Sequence, residues 1–355
     1  MNMPRLPLAA TLLLFAGCGT ESPPPVESTP VERVSEGGLS LNGTAVVPAA
    51  GPLRTDSCQG DALTGGSPIS SYGHCHNGPL LSGTLASVSL SGVTLASGQA
   101  LDGSASLTGT AFSGTASGVA TQAADFSGAR FTGTTLGGGA VPIRIDSALQ
   151  GTGTNADVWE YGFSSQDASG NWHPVCASGA TAVPVLGRWD YSQGTATGGD
   201  KIDDPSVFTV GCIGSAVAKC VYLGYKPWKA VGGVSLANHH QACTRAVRAD
   251  YCGNGASYTT TGRIIDAYDQ IGVQSDAADG WIAEGEWNPG GARCTNLLNR
   301  NILAGLLCNP LRTLGCGHFT SGTLILTETP LDLLGGILGS AGVGGAGGTA
   351  ATQPQ

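Results

Sequence analysis

The sequence predicts a mainly β protein with a few short helices, in which a short β-repeat region is followed by a disulfide-rich β (α+β) domain. Glycine supplies 57 of the 355 residues and aromatic residues only 6%, which favours turn-rich β structure over helical bundles. Short alternating apolar runs are separated by Gly, Ser and Asn, as in strands joined by turns. The chain also carries 11 cysteines, and cross-links would offset the backbone entropy that glycine loses on folding.

The charge balance limits the kind of partner that the chain can bind. It has 16 Lys and Arg against 25 Asp and Glu, a formal net charge of -9. Nucleic-acid binding needs a basic surface that neutralises phosphates. We therefore expect no nucleic-acid partner.

The N-terminus is typical of an export signal. Arg5 precedes the apolar run LPLAATLLLFA, which is too short to span a bilayer but suits a secretory signal. The next residues, FAGC, end at Cys18 and resemble a bacterial lipobox, in which a peptidase cuts before a cysteine that carries lipid. Gly19 stands where many lipoproteins retained at the inner membrane have aspartate. The prediction is a cell-envelope, outer-membrane lipoprotein, on its periplasmic or surface face, that contacts the membrane through lipid on Cys18. The alternative is an ordinary signal peptide with a chance cysteine.

Composition divides the chain into five predicted regions. A linker rich in Pro and Glu has almost nothing to bury, and a glycine-rich tail cannot hold a long helix. The regions are a lipoprotein signal peptide and lipobox (1–18), a disordered linker (19–38), a Gly/Ser/Thr-rich β-repeat region (39–140), a disulfide-rich domain (141–322) and a largely disordered tail (323–355).

Leucine or phenylalanine recurs every five residues in the repeat region. Leu80, Leu85, Leu90 and Leu95 form one series, and ADFSGARFTGTTLGG continues the interval. The pattern resembles pentapeptide repeats, which would imply a right-handed β-helix with these side chains stacked inside. Short β-strands joined by Gly-Ser-Thr turns explain the pattern equally well, and the sequence leaves both open.

Strand and helix patterns continue through the 141–322 region. VPIRID and VWEYGFSSQDASGNWHPVC are predicted strands, with SQDASGN as a hairpin turn, and SVFTVGC continues the β pattern. AVAKCVYLGYKPW is predicted to add another strand pair. Apolar spacing predicts helices over 236–249, with Ser235 as N-cap, and over 296–307.

With Cys18 lipidated, ten cysteines remain, an even number that suits disulfides in an exported chain. None has the paired CxxC spacing of zinc ribbons, which favours disulfides over metal. Proximity in sequence predicts the pairs Cys58–Cys75 and Cys308–Cys316, and it leaves the other connectivities open. The full candidate set is Cys58, Cys75, Cys176, Cys212, Cys220, Cys243, Cys252, Cys294, Cys308 and Cys316.

Four blocks occur together in a fixed order: KCVYLGYKPW, HHQACTRAVRADYCGNG, TTTGRIIDAYDQIGV and EGEWNPGGARC. They resemble the ADYC domain, named for the tetrapeptide that stands here at 249–252 and found in bacterial envelope lipoproteins. The resemblance covers roughly residues 131–300. It implies an envelope location and one fold unit, and it implies no activity and no catalytic residues.

The tetrapeptide itself is predicted to be structural. A helix should end near Arg248, Asp250 could accept hydrogen bonds from backbone amides or from Arg245, and Cys252 should lie in a disulfide. Gly253 and Gly255 allow the chain to turn with positive φ.

Two patterns could hold a metal ion. Asp266 and Asp269 could serve a calcium site, although the spacing of an EF-hand is not met and a solvated turn is the simpler interpretation. His239 and Cys243 lie four residues apart on the helix predicted over 236–249, a spacing that zinc could use. A disulfide is the competing use of Cys243, and we predict neither a metal nor a cofactor.

Glu284 and Glu286 alternate in WIAEGEW, so a strand would place both carboxylates on one face at about 7 Å, within the range of inverting glycosidases. A solvated strand face provides the same arrangement. Trp281 and Trp287 could stack on sugar or fill the core. We predict no catalytic residue, and a candidate ligand site among Asp266, Asp269, Glu284, Glu286 and His239.

The sequence therefore predicts a lipid-anchored cell-envelope protein with a structural role or one in binding a ligand or surface. The ligand would be an unknown protein or carbohydrate. The alternative is an extracytoplasmic hydrolase or carbohydrate-active enzyme that uses acidic residues of the C-terminal domain.

Overall fold

The computed structural model describes residues 53–55, 69–70, 84–176, 179–259, 263–278, 280–308 and 315–330. These residues belong to one compact unit, 37–355, and are predominantly strand with three short α-helices, which confirms the predicted fold class. Cys18, Cys58 and Cys75, and with them the predicted pair Cys58–Cys75, lie outside the described residues. Within the described ranges, no helix has the length and apolar character needed to cross a membrane.

The elements are numbered in chain order. The helices are α1 (Ala216–Tyr222), α2 (Ala237–Arg248) and α3 (Ile302–Cys308). The strands of the described residues are β1 (Leu53–Thr55), β2 (Leu85–Ser89), β3 (Ser106–Thr108), β4 (Ala111–Ala116), β5 (Val119–Gln122), β6 (Arg130–Thr135), β7 (Ala140–Gln150), β8 (Trp159–Gln166), β9 (Trp172–Pro174), β10 (Ala182–Leu186), β11 (Arg188–Trp189), β12 (Lys201–Ile202), β13 (Val207–Cys212), β14 (Ala230–Val231), β15 (Val234–Ser235), β16 (Arg263–Tyr268), β17 (Ile282–Asn288), β18 (Gly291–Thr295) and β19 (Ile325–Thr329).

The larger sheet closes on itself. Its strands follow the order β10-β13-β2-β6-β7-β8-β9, and β10 also pairs with β8. Side chains alternate along the first part of β7, so Ile143 and Ile145 point inside, where both are fully buried. Phe112 of β4 fills the interior and lies 5.0 to 5.4 Å, between ring centroids, from Phe126, Phe131, Tyr161 and Phe208. Aromatic pairs of this kind contribute about 0.5–1.5 kcal/mol each beyond their buried area.

The five-residue interval does not build a β-helix in the described residues 84–136. β3, β4 and β5 form an antiparallel sheet of their own, and β2 pairs antiparallel with β6. A β-helix needs parallel coils, so the β-helix alternative is wrong for these residues and short strands joined by turns are what the chain forms. β6 also pairs with β7, so strands of the predicted repeat region (39–140) and of the predicted disulfide-rich domain (141–322) share one sheet.

The second sheet has the order β1-β16-β19-β17-β18 and is antiparallel throughout. Ala246 and Val247 of α2 pack in one buried cluster with Ile265, Trp287 and Ile325 of this sheet. The predicted helix over 236–249 is confirmed as α2. Its N-cap position is Leu236, without a side-chain cap.

Helix α1 replaces the strand pair predicted for AVAKCVYLGYKPW. All seven of its residues are buried, so the segment has no polar face from which helical periodicity could be recognised. The N-cap Ser215 accepts a hydrogen bond from the Ala218 amide at 3.4 Å. The strand prediction for this segment is wrong, because complete burial removes the pattern.

Helix α3 begins six residues later than predicted. The side-chain oxygens of Asn296 and Asn299 accept hydrogen bonds from amides two residues on, which holds the preceding residues in turns. The Asn301 side chain then accepts from the Ala304 amide at 3.0 Å, as an N-cap residue does.

Four disulfides connect the described cysteines. They are Cys176–Cys212, Cys220–Cys243, Cys252–Cys308 and Cys294–Cys316. The predicted pair Cys308–Cys316 is wrong. Cys308 ends α3 and bonds to Cys252, whereas Cys316 bonds to Cys294 of β18, so tertiary position overrides proximity in sequence.

Candidate functional site

The ADYC tetrapeptide begins where α2 ends. Ala249 has φ of 54°, the left-handed conformation that terminates a helix, and its amide bonds to carbonyls of the last turn. Its side chain is completely buried. This reversal places Asp250 beneath the end of the helix.

Asp250 connects the helix to the turn that follows. Its fully buried carboxylate accepts hydrogen bonds from the amides of Asn254 at 3.0 Å and Gly255 at 2.9 Å, and from the Arg245 guanidinium. Both partners expected from the sequence are therefore present. Arg245 also forms an ion pair with Asp200 at 2.5 Å.

The loops around Asp250 touch backbone to backbone. A Cβ on Gly253 would lie 1.8 Å from the Gly290 carbonyl oxygen, and one on Gly255 would lie 2.3 Å from the Ser192 carbonyl oxygen. Both glycines also have positive φ, 66° and 83°. Only glycine fits at either position. The turn that follows the tetrapeptide therefore packs directly against the β17–β18 turn and the 192–200 loop.

Tyr251 reaches a buried ion pair on the second sheet. Its hydroxyl donates to Oε1 of Glu284 at 2.7 Å, and Nε of Arg300 donates to the same oxygen at 2.6 Å. Thr327 donates to the other carboxylate oxygen at 3.0 Å, and Arg300 also bonds the Val247 carbonyl at the end of α2 at 3.1 Å. Burial alone would lower the pKa of Arg300, but the Glu284 carboxylate raises it above its ordinary value. The guanidinium therefore stays charged inside the domain.

Cys252 completes the tetrapeptide through its disulfide to Cys308. Each of the four residues thus terminates, caps, hydrogen-bonds or cross-links an element. The predicted structural role of the tetrapeptide agrees with these contacts. Sequence reasoning did not find Arg300, since a lone arginine in an asparagine-rich stretch gives no signal of burial.

Glu286 organises a different loop. It is fully buried and accepts hydrogen bonds from the amides of Gly317, His318 and Thr320 at 2.8 to 3.1 Å and from the Thr323 hydroxyl at 2.7 Å. Although burial opposes ionisation, these donors lower the pKa of Glu286 to about 2. Glu284 and Glu286 therefore hold separate hydrogen-bond networks, and neither carboxylate faces solvent.

Asp269 closes the turn after β16. It accepts from the amides of residues 271–274 at 2.8 to 3.2 Å and from the Tyr225 hydroxyl at 2.8 Å. Burial and the Asp269 charge raise the pKa of Tyr225. His239 stacks on the Tyr225 ring at 6.2 Å, and its buried Nδ1 has no hydrogen-bond partner among the described residues. Burial lowers the pKa of His239, which keeps the ring neutral at pH 7.

An acidic cluster lies across β16 and β19. Asp266 stands directly opposite Glu328, and Tyr268 donates to Glu328 at 2.8 Å. Burial raises the pKa of Asp266, and Asp276 raises it further. Burial also raises the pKa of Glu328, with contributions from Asp276 and Asp266. Among the sequence-predicted candidates, Asp266 alone has a carboxylate neighbour with a shifted pKa.

The predicted metal ligands do not converge in the described ranges. No group of three or more His, Cys, Asp or Glu is placed there to hold a metal ion. Cys243 is bonded to Cys220, so it offers no thiolate beside His239. Trp287 is fully buried and donates to Thr327 at 2.8 Å, which removes it as a sugar-stacking surface.

A mainly β domain with four disulfides defines the class of protein, because such cross-links persist in an oxidising, extracytoplasmic compartment. The ADYC domain model matches residues 123–301, half of the chain, and the chain therefore belongs to the ADYC domain family. The resemblance drawn over 131–300 is confirmed, and the match begins slightly earlier. No curated protein and no solved structure matches the chain.

Proposed function

We propose that this protein is a lipid-anchored cell-envelope protein whose ADYC domain acts as a rigid structural or binding module. The observation that supports this proposal is the use of the candidate acids inside the fold. Glu284, Glu286 and Asp269 each accept several internal hydrogen bonds and are buried. A carboxylate held in this way stabilises a scaffold and is not available to a substrate.

The anchoring half of the proposal rests on the N-terminal sequence. A lipid on Cys18 would hold the chain at the outer membrane, and residues 19–38 would act as a tether. An extended, proline-rich segment of this length reaches up to about 60 Å. The partner at the far end would be a protein or a carbohydrate.

Intact-mass measurement of full-length protein purified from membranes tests this proposal. We expect a chain that begins at Cys18 and carries acyl mass, with cysteines that react with alkylating reagent only after reduction. Cys18→Ser is the matched control and should lose both the acyl mass and the membrane fraction. An unmodified Cys18 in wild-type protein from membranes, or free thiols before reduction, would contradict the proposal.

One observation favours the alternative, an extracytoplasmic hydrolase or carbohydrate-active enzyme. Asp266 and Glu328 are paired carboxylates with raised pKa values, the property that general acids in hydrolases need. An enzyme of this kind would lose turnover of chromogenic glycosides or esters in Asp266→Asn and Glu328→Gln without loss of stability. Absence of wild-type turnover on these substrate panels, with both variants folded, counts against it.

A further inference from the structure

The outer face of the closed sheet carries an unusual pair of like charges. Arg130 on β6 stands directly opposite Arg144 on β7, while their neighbours Phe131, Ile143 and Ile145 point into the core. Like charges directly opposite on adjacent strands destabilise a sheet. In a chain with 16 basic against 25 acidic residues, two arginines at one position of a sheet require an explanation.

Trp172 on β9 lies beside both arginines. The Cζ atom of Arg144 is 4.5 Å from the Trp172 ring centroid, and that of Arg130 is 5.9 Å from it. The indole is partly exposed and Arg130 is exposed. Cation–π contacts attract each guanidinium to the ring and hold all three side chains as one surface.

The acids nearby neutralise this surface only in part. Asp146 accepts from Nε of Arg144 at 2.6 Å and from the Ser164 hydroxyl. Asp167, in the β8–β9 turn, pairs with His173 at 2.8 Å. Arg130 makes no ion pair within the described part of the chain, so its guanidinium remains available to an anion from outside.

We propose that Arg130, Arg144 and Trp172 form a binding surface for a carboxylate-bearing polysaccharide, such as a chain of uronic acids. This inference rests on the proposed binding role and names its ligand class. A guanidinium donates two parallel hydrogen bonds to a carboxylate, which suits uronate. Trp172 is partly exposed, and the part of the indole that the guanidiniums leave uncovered can pack against the apolar C–H face of a sugar ring.

The same geometry argues against other ligands. A neutral sugar would use the indole and leave the Arg130 guanidinium without an anion, since Arg144 already pairs with Asp146. An acidic peptide would use the guanidiniums and has no sugar ring to stack on Trp172. The overall charge of -9 repels polyanions at a distance, so recognition depends on this local surface and weakens as salt is added.

Isothermal titration of the full chain with a galacturonic acid hexamer tests the proposal. Arg130→Gln removes an exposed side chain without an ion pair, and Trp172→Ala removes the stacking surface. We expect each variant to weaken binding about tenfold, because Arg130→Gln loses one charge-assisted contact and Trp172→Ala loses one stacking contact. Arg188→Gln is the matched control, because Arg188 is also exposed, with 47% of its side chain accessible, and lies on β11, which pairs with β12 in a separate sheet. It should bind within about twofold of wild type. Arg130→Gln and Arg188→Gln should keep the wild-type melting temperature, and Trp172→Ala should remain folded, with a melting temperature lowered by the loss of its cation–π contacts.

Three results would overturn the proposal. The first is no binding of the hexamer by folded protein at millimolar sugar. The second is an equal loss in Arg188→Gln, which would indicate non-specific charge. The third is that poly-glutamate, or a neutral glucose hexamer, binds as tightly as the uronate. Binding of either comparison ligand leaves the proposed binding role intact, and the acyl mass on Cys18 tests anchoring independently of all three.

Discussion

Replacing Glu284 by glutamine should destabilise the domain strongly, because it leaves the Arg300 guanidinium buried without its counter-charge. Both side chains are completely buried, and they are joined at 2.6 Å. Glutamine keeps the shape of glutamate and one acceptor oxygen. Its NH2 group cannot accept the hydrogen bonds that Tyr251 or Thr327 donates to the carboxylate.

The size of the expected loss in the free energy of unfolding follows from the burial of this ion pair. Removing one partner of a buried ion pair costs about 3–5 kcal/mol, mostly from the charge left uncompensated. Arg300 cannot move to water, since its guanidinium also bonds the Val247 carbonyl at the end of α2 at 3.1 Å. We expect the free energy of unfolding to fall by about 4 kcal/mol, a large part of the roughly 5–15 kcal/mol available to a folded domain.

Urea denaturation followed by tryptophan fluorescence measures this loss. Glu328→Gln is the matched control, because it is the same substitution in the same sheet, at a half-buried residue whose raised pKa disfavours the charged form. Its free energy of unfolding should change by no more than about 1 kcal/mol. If Glu284→Gln lowers stability no more than Glu328→Gln does, the Glu284–Arg300 pair does not hold the domain together and the reasoning fails.

Three other perturbations test separate parts of the fold. Cys220→Ala with Cys243→Ala opens a loop of 23 residues and should cost about 3 kcal/mol by chain entropy, read from the urea midpoint of the double variant against the disulfide-bonded wild type under non-reducing conditions. Burial lowers the pKa of His240 to about 3, far below that of an unfolded histidine. The unfolded state therefore binds more protons as the pH falls, and the free energy of unfolding should decrease by about 1.6 kcal/mol between pH 6.5 and 5. His240→Gln should flatten this slope, and an unchanged slope would exclude His240 as its source. Gly253→Ala should cost at least about 3 kcal/mol because its Cβ would lie 1.8 Å from a carbonyl oxygen, whereas Gly272→Ala, at φ 83° in open space, should cost about 1 kcal/mol in the same denaturation assay. Equal losses in the two glycine variants would show that backbone conformation, and not the close contact, sets the cost.

The local pattern of apolar and polar residues predicted the secondary structure where one side of an element faces solvent. Strands β7 and β8 were predicted from alternation, and β9, the hairpin partner of β8, from the SQDASGN turn. Helix α2 was predicted from its apolar spacing. The same pattern could not identify an element that is buried on every side, as α1 is. The apolar spacing placed the start of α3 too early. It considers only the apolar residues and overlooks the asparagine side chains whose hydrogen bonds hold the preceding residues in turns.

The candidate site was likewise predicted from the sequence in part and decided by the tertiary structure in part. Composition and the four blocks alone predicted a cross-linked domain of the ADYC family, with Asp250 and Cys252 in structural roles, and the contacts agree. Burial decided the roles of Glu284 and Glu286, because whether a carboxylate faces water or an internal donor depends on elements distant in sequence.

The sequence by itself determined the class of secondary structure, the cross-linked domain and its family, because those depend on residue types and on spacing within short segments. The tertiary structure decided which cysteines pair, which acids are internal, and that Arg130, Arg144 and Trp172 lie together. These depend on strand register: a pairing of β6 with β7 shifted by one residue would turn Arg144 toward the core and separate the three side chains.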